Sequence, residues 1–329
     1  AVAIDAVKKF VAQQDLNAAH RYVPPVVQPS LQGPWPQKIA IIGGGPAGLS
    51  CAYFLALQGY RPTVFEKNEH PGGMLRYGIP AYRLPKKYIE AVQQALEGMG
   101  VVFKLGVDVG KDITVAEIEK ASDSVYIATG AWKQPVLGLS GEDMTQFGLN
   151  FLVEVNKYLK GRVGKEVLVC GGGNVAYDVA RSSVRLGAEV SVVCLESREK
   201  GQMTADDEEI DQAAEEGVKL YSGYSNSGFS TDENGKVTGL NCFAISDFRF
   251  GPSGLEVDKV EGSEVFVPCD VVVYASGQKT NLTAEFGLEI NRPGYPVDPE
   301  TGKSGFKTSV EGVYTAGDVI TGTKSVISA

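Results

Sequence analysis

The chain has 329 residues, of which 43% are hydrophobic and 22% are charged, a composition typical of a globular protein with about two domains. Its formal net charge of −9 argues against general binding to nucleic acid or to an anionic membrane. No apolar run approaches the roughly 20 residues that span a bilayer, and the N-terminus lacks a signal-peptide pattern. We therefore expect a cytoplasmic protein without membrane insertion.

The chain begins with a helical pattern over residues 1–20, and five prolines over residues 23–36 predict an extended linker. A βαβ unit follows, with a strand over Ile39–Ile42, a helix over Ala47–Gln58 and a strand over Pro62–Phe65.

A glycine- and proline-rich loop over residues 71–85 separates this unit from the next elements. These are a helix over Tyr88–Met99 and strands over Val101–Leu105 and Val125–Ala128. Residues 131–150 are interpreted as connecting sequence.

A second βαβ unit has strands over Val167–Val169 and Val190–Leu195 and a helix over Val175–Leu186. The acidic stretch over residues 206–216 predicts a solvated helix face. The remaining features are a β-rich segment over residues 217–268 with turns at Asn234-Gly235 and Gly251-Pro252, a buried strand over Val271–Tyr274, and a final motif over residues 312–318.

This order predicts an α/β fold with two nested Rossmann-like dinucleotide-binding domains. We expect an N-terminal helix and linker over residues 1–36. One discontinuous domain covers 37–148 and 272–329, and the other covers 149–271.

The first glycine loop lies between the strand and helix of the first unit. Gly43 allows the tight turn, Gly45 lets the backbone approach a pyrophosphate, and Gly48 lets helix and strand pack closely. Glu66 ends the next strand, where a carboxylate accepts hydrogen bonds from ribose hydroxyls. The alternative is a glycine turn that binds no ligand.

The second loop, Gly171-Gly172-Gly173, has Ala176 in the third small position. Glu196 follows the next strand, where it would contact a ribose and repel a 2′-phosphate. Arg198 is a nearby cation that favours the phosphate instead, and Glu196 as an ordinary surface carboxylate remains an alternative. On balance the residues favour NAD over NADP.

Two further strands end in small residues, namely Ala128-Thr129-Gly130 and Ala275-Ser276-Gly277. Such residues allow a chain to pass close to a cofactor or to cross between domains. Either segment alone could be an ordinary turn.

The five cysteines, at positions 51, 170, 194, 242 and 269, include no Cys-x-x-Cys. The sequence therefore predicts neither a redox pair nor an iron–sulfur or zinc knuckle, and with two histidines we expect no metal site. Cys170 and Cys194 lie in apolar strand-like runs, where we expect them to be buried.

Together these motifs resemble the small subunit of bacterial glutamate synthase, the flavin module of dihydropyrimidine dehydrogenase, and the flavin subunits of electron-bifurcating NAD(P)H:ferredoxin oxidoreductases. The resemblance runs from Lys38 to the end and includes the distinctive segments Gly78-Ile79-Pro80 and Arg83-Leu84-Pro85 and the terminal Gly317-Asp318. It implies a glutathione reductase-like two-domain flavoprotein.

The resemblance implies two cofactor sites. FAD would be held by Gly43, Gly45, Pro46, Ala47, Gly48, Glu66, Lys67, Gly73, Met74, Leu75, Arg83, Val107, Thr129, Gly130, Gly317, Asp318, Ser325 and Val326. The nicotinamide nucleotide would be held by Gly172, Gly173, Asn174, Val175, Glu196, Ser197, Ala275, Ser276 and Gly277.

The chain departs from the family pattern in three places. NADPH-using members have an arginine pair where this chain has Leu195 and Glu196, which supports NAD(H) over NADP(H). Members usually begin with a domain carrying two [4Fe–4S] clusters, which is absent here, and the chain stops at Ala329, inside the expected last helix. We therefore expect a piece of a longer protein.

The resulting expectation is an FAD-dependent NAD(P)H oxidoreductase module in which hydride passes directly between nicotinamide and flavin, without a catalytic side chain. Electrons would leave through iron–sulfur clusters of a multi-subunit complex or a ferredoxin-like partner. The flavin subunit of a bifurcating transhydrogenase or hydrogenase is favoured over a glutamate synthase small subunit. A nucleotide-binding structural subunit without turnover is the non-enzyme alternative. A disulfide reductase needs a paired cysteine near its flavin, and this chain has none.

Overall fold

The computed structural model describes residues 3–28, 33–135, 144–158, 163–251, 254–280, 282, 284–291 and 294–329. The chain forms two compact units. The first contains residues 1–76, 81–133 and 278–329, and the second contains residues 77–80 and 134–277. Apart from the short segment 77–80, the chain changes units after residues 133 and 277, whereas the sequence placed domain boundaries after residues 148 and 271.

The first unit is built on a parallel five-stranded sheet. Each strand is a short apolar run, and Ala40, Ile41 and Ile42 are almost completely buried, as expected for a parallel sheet covered on both faces. In spatial order the strands are β14 (Val313–Thr315), β4 (Ser124–Ile127), β1 (Ile39–Ile42), β2 (Thr63–Glu66) and β3 (Val102–Leu105).

Helices α2 (Pro46–Leu57) and α4 (Lys87–Gly98) cover one face of this sheet. Small residues such as Ala52 and Ala56 let α2 lie close to the strands. The other face packs against α5 (Val115–Ala121), a helix the sequence analysis missed, which begins with a capping box between Thr114 and Glu117.

Three further helices are α1, α3 and α9, and the first of them is exposed throughout. Helix α1 (Ile4–Asn17) has no buried residue and ends before the predicted residue 20. Helix α3 (Met74–Tyr77) is a single turn in the segment predicted as a loop, and α9 (Asp318–Thr321) follows β14.

The second unit also contains a parallel five-stranded sheet. In spatial order its strands are β5 (Gln146–Phe147), β13 (Val271–Tyr274), β6 (Glu166–Cys170), β7 (Glu189–Cys194) and β8 (Lys219–Ser222). Helix α7 (Asn174–Arg185), from the second βαβ unit, packs on one face of it, and helices α6 (Gly148–Tyr158) and α8 (Asp207–Glu215) belong to the same unit.

The prediction of connecting sequence over residues 131–150 is wrong at its end, because β5 and the start of α6 lie there. β5 pairs with β13, a strand far away in sequence, so a two-residue strand becomes visible only in the folded sheet.

An antiparallel layer covers the other face of the second sheet and confirms the predicted β-rich segment. Leu240 and Val267 of this layer pack with Leu168 and Val272 of the parallel sheet. Its strands are β9 (Tyr224–Thr231), β10 (Val237–Gly251), β11 (Gly254–Lys259) and β12 (Val265–Pro268). The turn at Asn234-Gly235 is confirmed, and Pro252 lies outside the described residues.

The two parallel sheets confirm the predicted α/β fold with two Rossmann-like units. Within the described ranges, no helix is both long and apolar enough to cross a membrane.

Candidate functional site

The first glycine loop joins β1 to α2 at the carboxyl edge of the first sheet. Gly43 has a φ of 107°, and a Cβ there would lie 2.4 Å from the carbonyl oxygen of Ala128. A Cβ on Gly48 would lie only 1.9 Å from the carbonyl oxygen of Gly43. Both positions therefore require glycine for packing, independently of any ligand.

Gly45 is different, because the nearest atom to a Cβ there is the Cα of Gly73, 3.8 Å away. The protein alone does not forbid a side chain at this position. Pro46 occupies the first turn of α2, where its missing N–H costs nothing, and Ala47 and Gly48 have N–H groups without a partner inside the helix. This open backbone surface at a helix start suits an anion such as a pyrophosphate.

Glu66 is buried at the end of β2 and is bonded to the glycine loop. Its Oε2 accepts a 2.9 Å hydrogen bond from the backbone N–H of Gly44. Its Oε1 accepts from the backbone N–H and the side-chain amide of Asn68, at 2.9 and 2.7 Å. A carboxylate has about four acceptor positions, so one remains for a ribose hydroxyl.

The other strands place predicted residues on the same edge. Val107 follows β3, and its N–H donates to the carbonyl oxygen of Glu66 at 3.0 Å. Thr129 and Gly130 follow β4, and the Oγ1 of Thr129 is buried without a hydrogen-bond partner. Gly317 follows β14 with a φ of 77°. All five strands of this sheet thus contribute a predicted site residue.

Asp318 begins α9 beside the start of α2. A Cβ on Gly317 would lie 2.8 Å from the Cβ of Ala47, so these two helix starts are in close contact. The Oδ1 of Asp318 accepts from the backbone N–H of Lys324 at 3.1 Å. Burial raises the pKa of Asp318, and the hydrogen bond from Lys324 only partly opposes that rise.

The remaining residues predicted for the first site are located as follows. Met74 and Leu75 begin α3, and the carbonyl oxygen of Leu75 accepts from the Nζ of Lys86 at 3.1 Å. Lys67 is exposed, with its Nζ 5.4 Å from the ring centre of Trp132. Arg83 lies in the turn before α4, and Ser325 and Val326 are exposed near the end of the chain.

The second glycine loop repeats the design of the first between β6 and α7. Gly171 has a φ of 143°, and a Cβ there would lie 2.5 Å from the carbonyl oxygen of Ala275. Ala275 follows β13 as Ala128 follows β4. Gly173 precedes α7, and the nearest atom to a Cβ there is the Oγ1 of Thr204 at 3.4 Å. The loop therefore also combines a packing glycine with an open helix start.

Glu196 lies over this loop, since a Cβ on Gly172 would be 2.6 Å from its Oε2. Arg198 forms an ion pair with Asp211, and this hydrogen bond raises the pKa of the guanidinium. The cation that could favour a 2′-phosphate is therefore already paired with a carboxylate. Ser197 donates its N–H to the side chain of Gln202 at 3.1 Å.

Asn174 and Asp206 form a contact that sequence reasoning missed. The side-chain amide of Asn174 donates to Asp206 at 3.1 Å, and the N–H of Asp206 donates back to the Oδ1 of Asn174 at 3.0 Å. The N–H of Ala205 donates to the carbonyl oxygen of Gly172 at 3.2 Å. The segment before α8 is thus attached to the glycine loop, and the side chain of Asn174 is held in this contact. Local sequence gives no signal for this long-range pair.

The prediction that residues 206–216 form a solvated face is wrong for Glu209, which is buried. Glu209 and Glu216 form ion pairs with the buried Arg181 of α7, at 2.6 and 2.8 Å. Burial raises the pKa of Glu216, but bonding to Arg181 and Arg185 outweighs it and lowers that pKa overall. These pairs fasten α8 to the helix that carries the second glycine loop.

Two residues predicted to border the second site, Ser276 and Gly277, are exposed after β13, and Gly277 has a φ of 96°. Val175 is in the first turn of α7.

All five cysteines are free thiols, and Cys170 and Cys194 are buried as predicted. Burial raises the pKa of Cys51 and of Cys194 to about 12, so these thiols stay protonated and unreactive at neutral pH. In the described part of the chain, no group of three or more His, Cys, Asp or Glu side chains could hold a metal ion.

Two parallel sheets, each with a glycine loop at its carboxyl edge and a carboxylate after the next strand, define a two-domain dinucleotide-binding oxidoreductase fold. The chain belongs to the pyridine nucleotide-disulphide oxidoreductase family, which it matches over residues 37–329. The predicted family resemblance and the oxidoreductase class are thereby confirmed.

Individual relatives agree with this assignment. The chain is 36% identical over 352 aligned residues to the NADP(+)-dependent formate dehydrogenase subunit beta of Moorella thermoacetica, covering 100% of this chain and 49% of that protein. It is 33% identical to the glutamate synthase [NADPH] small chain of Escherichia coli (strain K12), covering 89% of this chain and 66% of that protein. The chain thus spans about half the length of the first of these relatives.

A solved structure with the same fold is a point mutant of FprA from Mycobacterium tuberculosis. The TM-score is 0.69 at 18% identity, and the alignment covers 89% of this chain and 81% of that one. At this identity the likeness concerns the fold alone.

Proposed function

We propose that the chain is an FAD-dependent NAD(P)H oxidoreductase module, with FAD on the first unit and a nicotinamide dinucleotide on the second. The observation that carries this proposal is the repeated glycine loop. In each unit a left-handed glycine lies against a neighbouring strand end, and a carboxylate lies over the next glycine, as Glu66 does over Gly44 and Glu196 over Gly172. Two dinucleotide sites in one chain suit hydride exchange between two dinucleotides.

The residues of the first unit fit an FAD molecule. The start of α2 offers partner-free N–H groups to the pyrophosphate, and Glu66 keeps an acceptor for the ribose. The buried hydroxyl of Thr129 has no hydrogen-bond partner in the protein. Leaving a buried hydroxyl unbonded costs free energy, and a bound ligand could supply the missing hydrogen bond. Asp318 would hold the ribityl chain through its second oxygen.

The residues of the second unit fit a nicotinamide dinucleotide. The start of α7 would hold its pyrophosphate through the backbone of residues 172–175, and residues 275–277 would border its nicotinamide half. We propose NAD(H) as the preferred form, because Glu196 would repel a 2′-phosphate and Arg198 is paired with Asp211. The names of the relatives from Moorella thermoacetica and Escherichia coli point the other way, since they specify NADP(+) and NADPH.

Bound FAD can accept a hydride and release electrons singly. The chain's own residues then need only bind and orient, so we propose no side chain as an acid or base. The protonated thiols support this view, because a disulfide-reducing reaction would require a reactive cysteine pair.

We further propose that the module passes its electrons to iron–sulfur centres in a larger cytoplasmic assembly. The relatives named above are a subunit and a small chain of their enzymes. The residues Leu195 and Glu196, in place of an arginine pair, favour an NAD(H)-linked flavin subunit of a bifurcating complex. A glutamate synthase small subunit is the second candidate, favoured by the 33% identity to such a chain.

The test uses purified protein reconstituted with FAD. We expect a yellow protein whose flavin absorbance is bleached anaerobically by NADH. Gly45→Ala should fold normally, because a Cβ there has room, but it should bind FAD at least roughly tenfold more weakly, since the methyl group projects toward the pyrophosphate.

The matched control is Gly173→Ala, which makes the same change at the start of α7. It should keep its FAD but resist bleaching by NADH. A protein that never takes up FAD, or a loaded flavin that neither NADH nor NADPH reduces, contradicts the proposal. Adding glutamine and 2-oxoglutarate, or ferredoxin, together with the partner subunits then separates the two candidate assemblies.

A further inference from the structure

Trp132 lies at the carboxyl edge of the first sheet, three residues after Thr129, and no prediction included it. Its indole Nε1 is 3.4 Å from the position of a Cβ on Gly130, so the ring lies against bare backbone. Gly130 has a φ of 71°, a conformation that favours glycine. The ring is half-buried and therefore leaves part of its surface accessible.

The backbone on both sides of Trp132 is fixed. The N–H of Ala128 donates to the carbonyl oxygen of Ile42 at 2.8 Å, and Ala131 is almost completely buried. Lys133 and Lys279 exchange two backbone hydrogen bonds, at 3.0 and 2.8 Å. The indole is thus held by a rigid segment, as a binding surface should be.

The position of Lys67 beside the Trp132 indole indicates which part of a nucleotide would reach the ring. The Nζ of Lys67 lies 5.4 Å from the ring centre, and Lys67 directly follows Glu66 at the end of β2. If the Glu66 carboxylate binds a ribose, the base attached to that ribose must lie within a few ångströms of Glu66. The indole near Lys67 is therefore within reach of such a base, because the exposed Lys67 can move aside on its flexible stem.

We infer that Trp132 is a binding residue on which the adenine base of the first nucleotide stacks, in the place that Lys67 covers in the structure. An aromatic surface suits a base, because every base has a π-face. The buried, unpartnered hydroxyl of Thr129 lies in the same strand end. This inference rests on the proposed function of the first unit as a nucleotide site.

The composition of the chain makes the inference easy to test, because Trp35 and Trp132 are its two tryptophans. Trp35 donates from its indole to the carbonyl oxygen of Gln58 at 3.0 Å and packs near Tyr60. Trp35→Phe therefore leaves Trp132 as a single fluorescent reporter, and Trp132→Phe leaves Trp35 as the matched control.

The first experiment titrates the flavin-free full chain with ADP, which carries adenine and ribose but no flavin that could absorb the emission. We expect ADP to quench the fluorescence of Trp35→Phe and to leave that of Trp132→Phe unchanged. The second experiment compares FAD with FMN, which lacks the adenosine half. Trp132→Ala should bind FAD roughly tenfold more weakly and FMN unchanged, whereas Trp132→Phe should stay close to the wild type with both.

Unchanged Trp132 emission together with unchanged FAD affinity in Trp132→Ala overturns the inference while leaving the FAD site intact. Equal losses for FAD and FMN also overturn it, since they indicate a purely structural role. If the wild-type protein binds no FAD, the proposed function itself fails, and the two failures are thereby distinguished.

Discussion

Glu66 accepts a 2.9 Å hydrogen bond from the backbone N–H of Gly44. The carboxylate at the end of β2 is thereby bonded to the glycine loop that follows the neighbouring strand β1. Because Asn68 donates twice to the other oxygen, the side chain is fixed before any ligand arrives. Glu196 and Gly172 repeat the relationship in the second unit, where a Cβ on the glycine would be 2.6 Å from the carboxylate. A preorganised acceptor loses little entropy when a ribose binds.

The first prediction concerns Glu66→Gln. An amide has one acceptor oxygen, so if that oxygen keeps the two Asn68 donors, the amide nitrogen must face the N–H of Gly44. We expect a loss of about 1–3 kcal/mol in unfolding free energy and roughly tenfold weaker binding of FAD. Thermal unfolding and flavin titration measure the two effects.

Glu69→Gln is the matched control, because Glu69 is an exposed carboxylate close by in the same segment. It should behave as the wild type in both measurements. If Glu66→Gln retains full FAD affinity, Glu66 has no role in binding the ribose.

The second prediction concerns the ion pairs between α7 and α8. The side chain of Arg181 is only 6% exposed and faces Glu209 and Glu216. Arg181→Met removes the ion pair of the buried Glu209 and one of the two ion pairs of Glu216, and we expect it to cost about 3–5 kcal/mol. Denaturant unfolding measures this loss.

Arg185→Met is the corresponding control, because Arg185 also pairs with Glu216 but its side chain is 45% exposed. Its loss should stay below about 1 kcal/mol. Equal effects of the two substitutions would show that burial does not govern this network.

Sequence reasoning succeeded where the cause is local. A short apolar run that ends in a left-handed glycine, such as Ile39–Ile42 with Gly43, can be predicted as a strand and turn from those few residues alone. The capping box of Thr114 and Glu117 was an equally local signal for α5, and it was overlooked.

The remaining features depend on partners that are distant in sequence. An acidic run does not show that Arg181 lies opposite Glu209, and nothing near Trp132 indicates Lys67. The same holds for Asn174, a residue that the resemblance assigns to the nucleotide site and whose side chain pairs with Asp206. Such contacts follow from the topology of each unit, which places segments that are distant in sequence side by side.

The third prediction concerns cofactor choice. Glu196→Gln removes the charge that would repel a 2′-phosphate, and it should raise kcat/KM for NADPH roughly tenfold relative to NADH. Changing Leu195 and Glu196 together to arginine should shift the ratio further. The measurement is flavin reduction with each nucleotide.

Glu199→Gln serves as the control, because Glu199 is an exposed carboxylate just beyond this strand end. It should leave the ratio unchanged. A wild-type protein that already prefers NADPH, with a ratio insensitive to Glu196, would remove the basis for the NAD(H) preference.

The fourth prediction concerns Asp318, whose burial raises the pKa of its carboxyl. A raised pKa in the folded state means that folding favours the protonated form. Below the ordinary pKa of the group the penalty for burying a charge is absent, and it develops as pH rises through the raised value. Asp318→Asn removes that penalty and can keep the hydrogen bond from Lys324, because the amide oxygen accepts as the carboxylate does.

The flavin-free variant should therefore be as stable as the wild type at low pH and more stable than it at neutral pH. Its affinity for FAD should nevertheless fall, because Asp318 is proposed to accept from the ribityl chain. Thermal unfolding of both proteins across this pH range, with and without FAD, measures the two trends. A variant that is less stable than the wild type at neutral pH without FAD would contradict this prediction. It would mean that the ionised carboxylate of Asp318 stabilises the FAD-free fold instead of destabilising it.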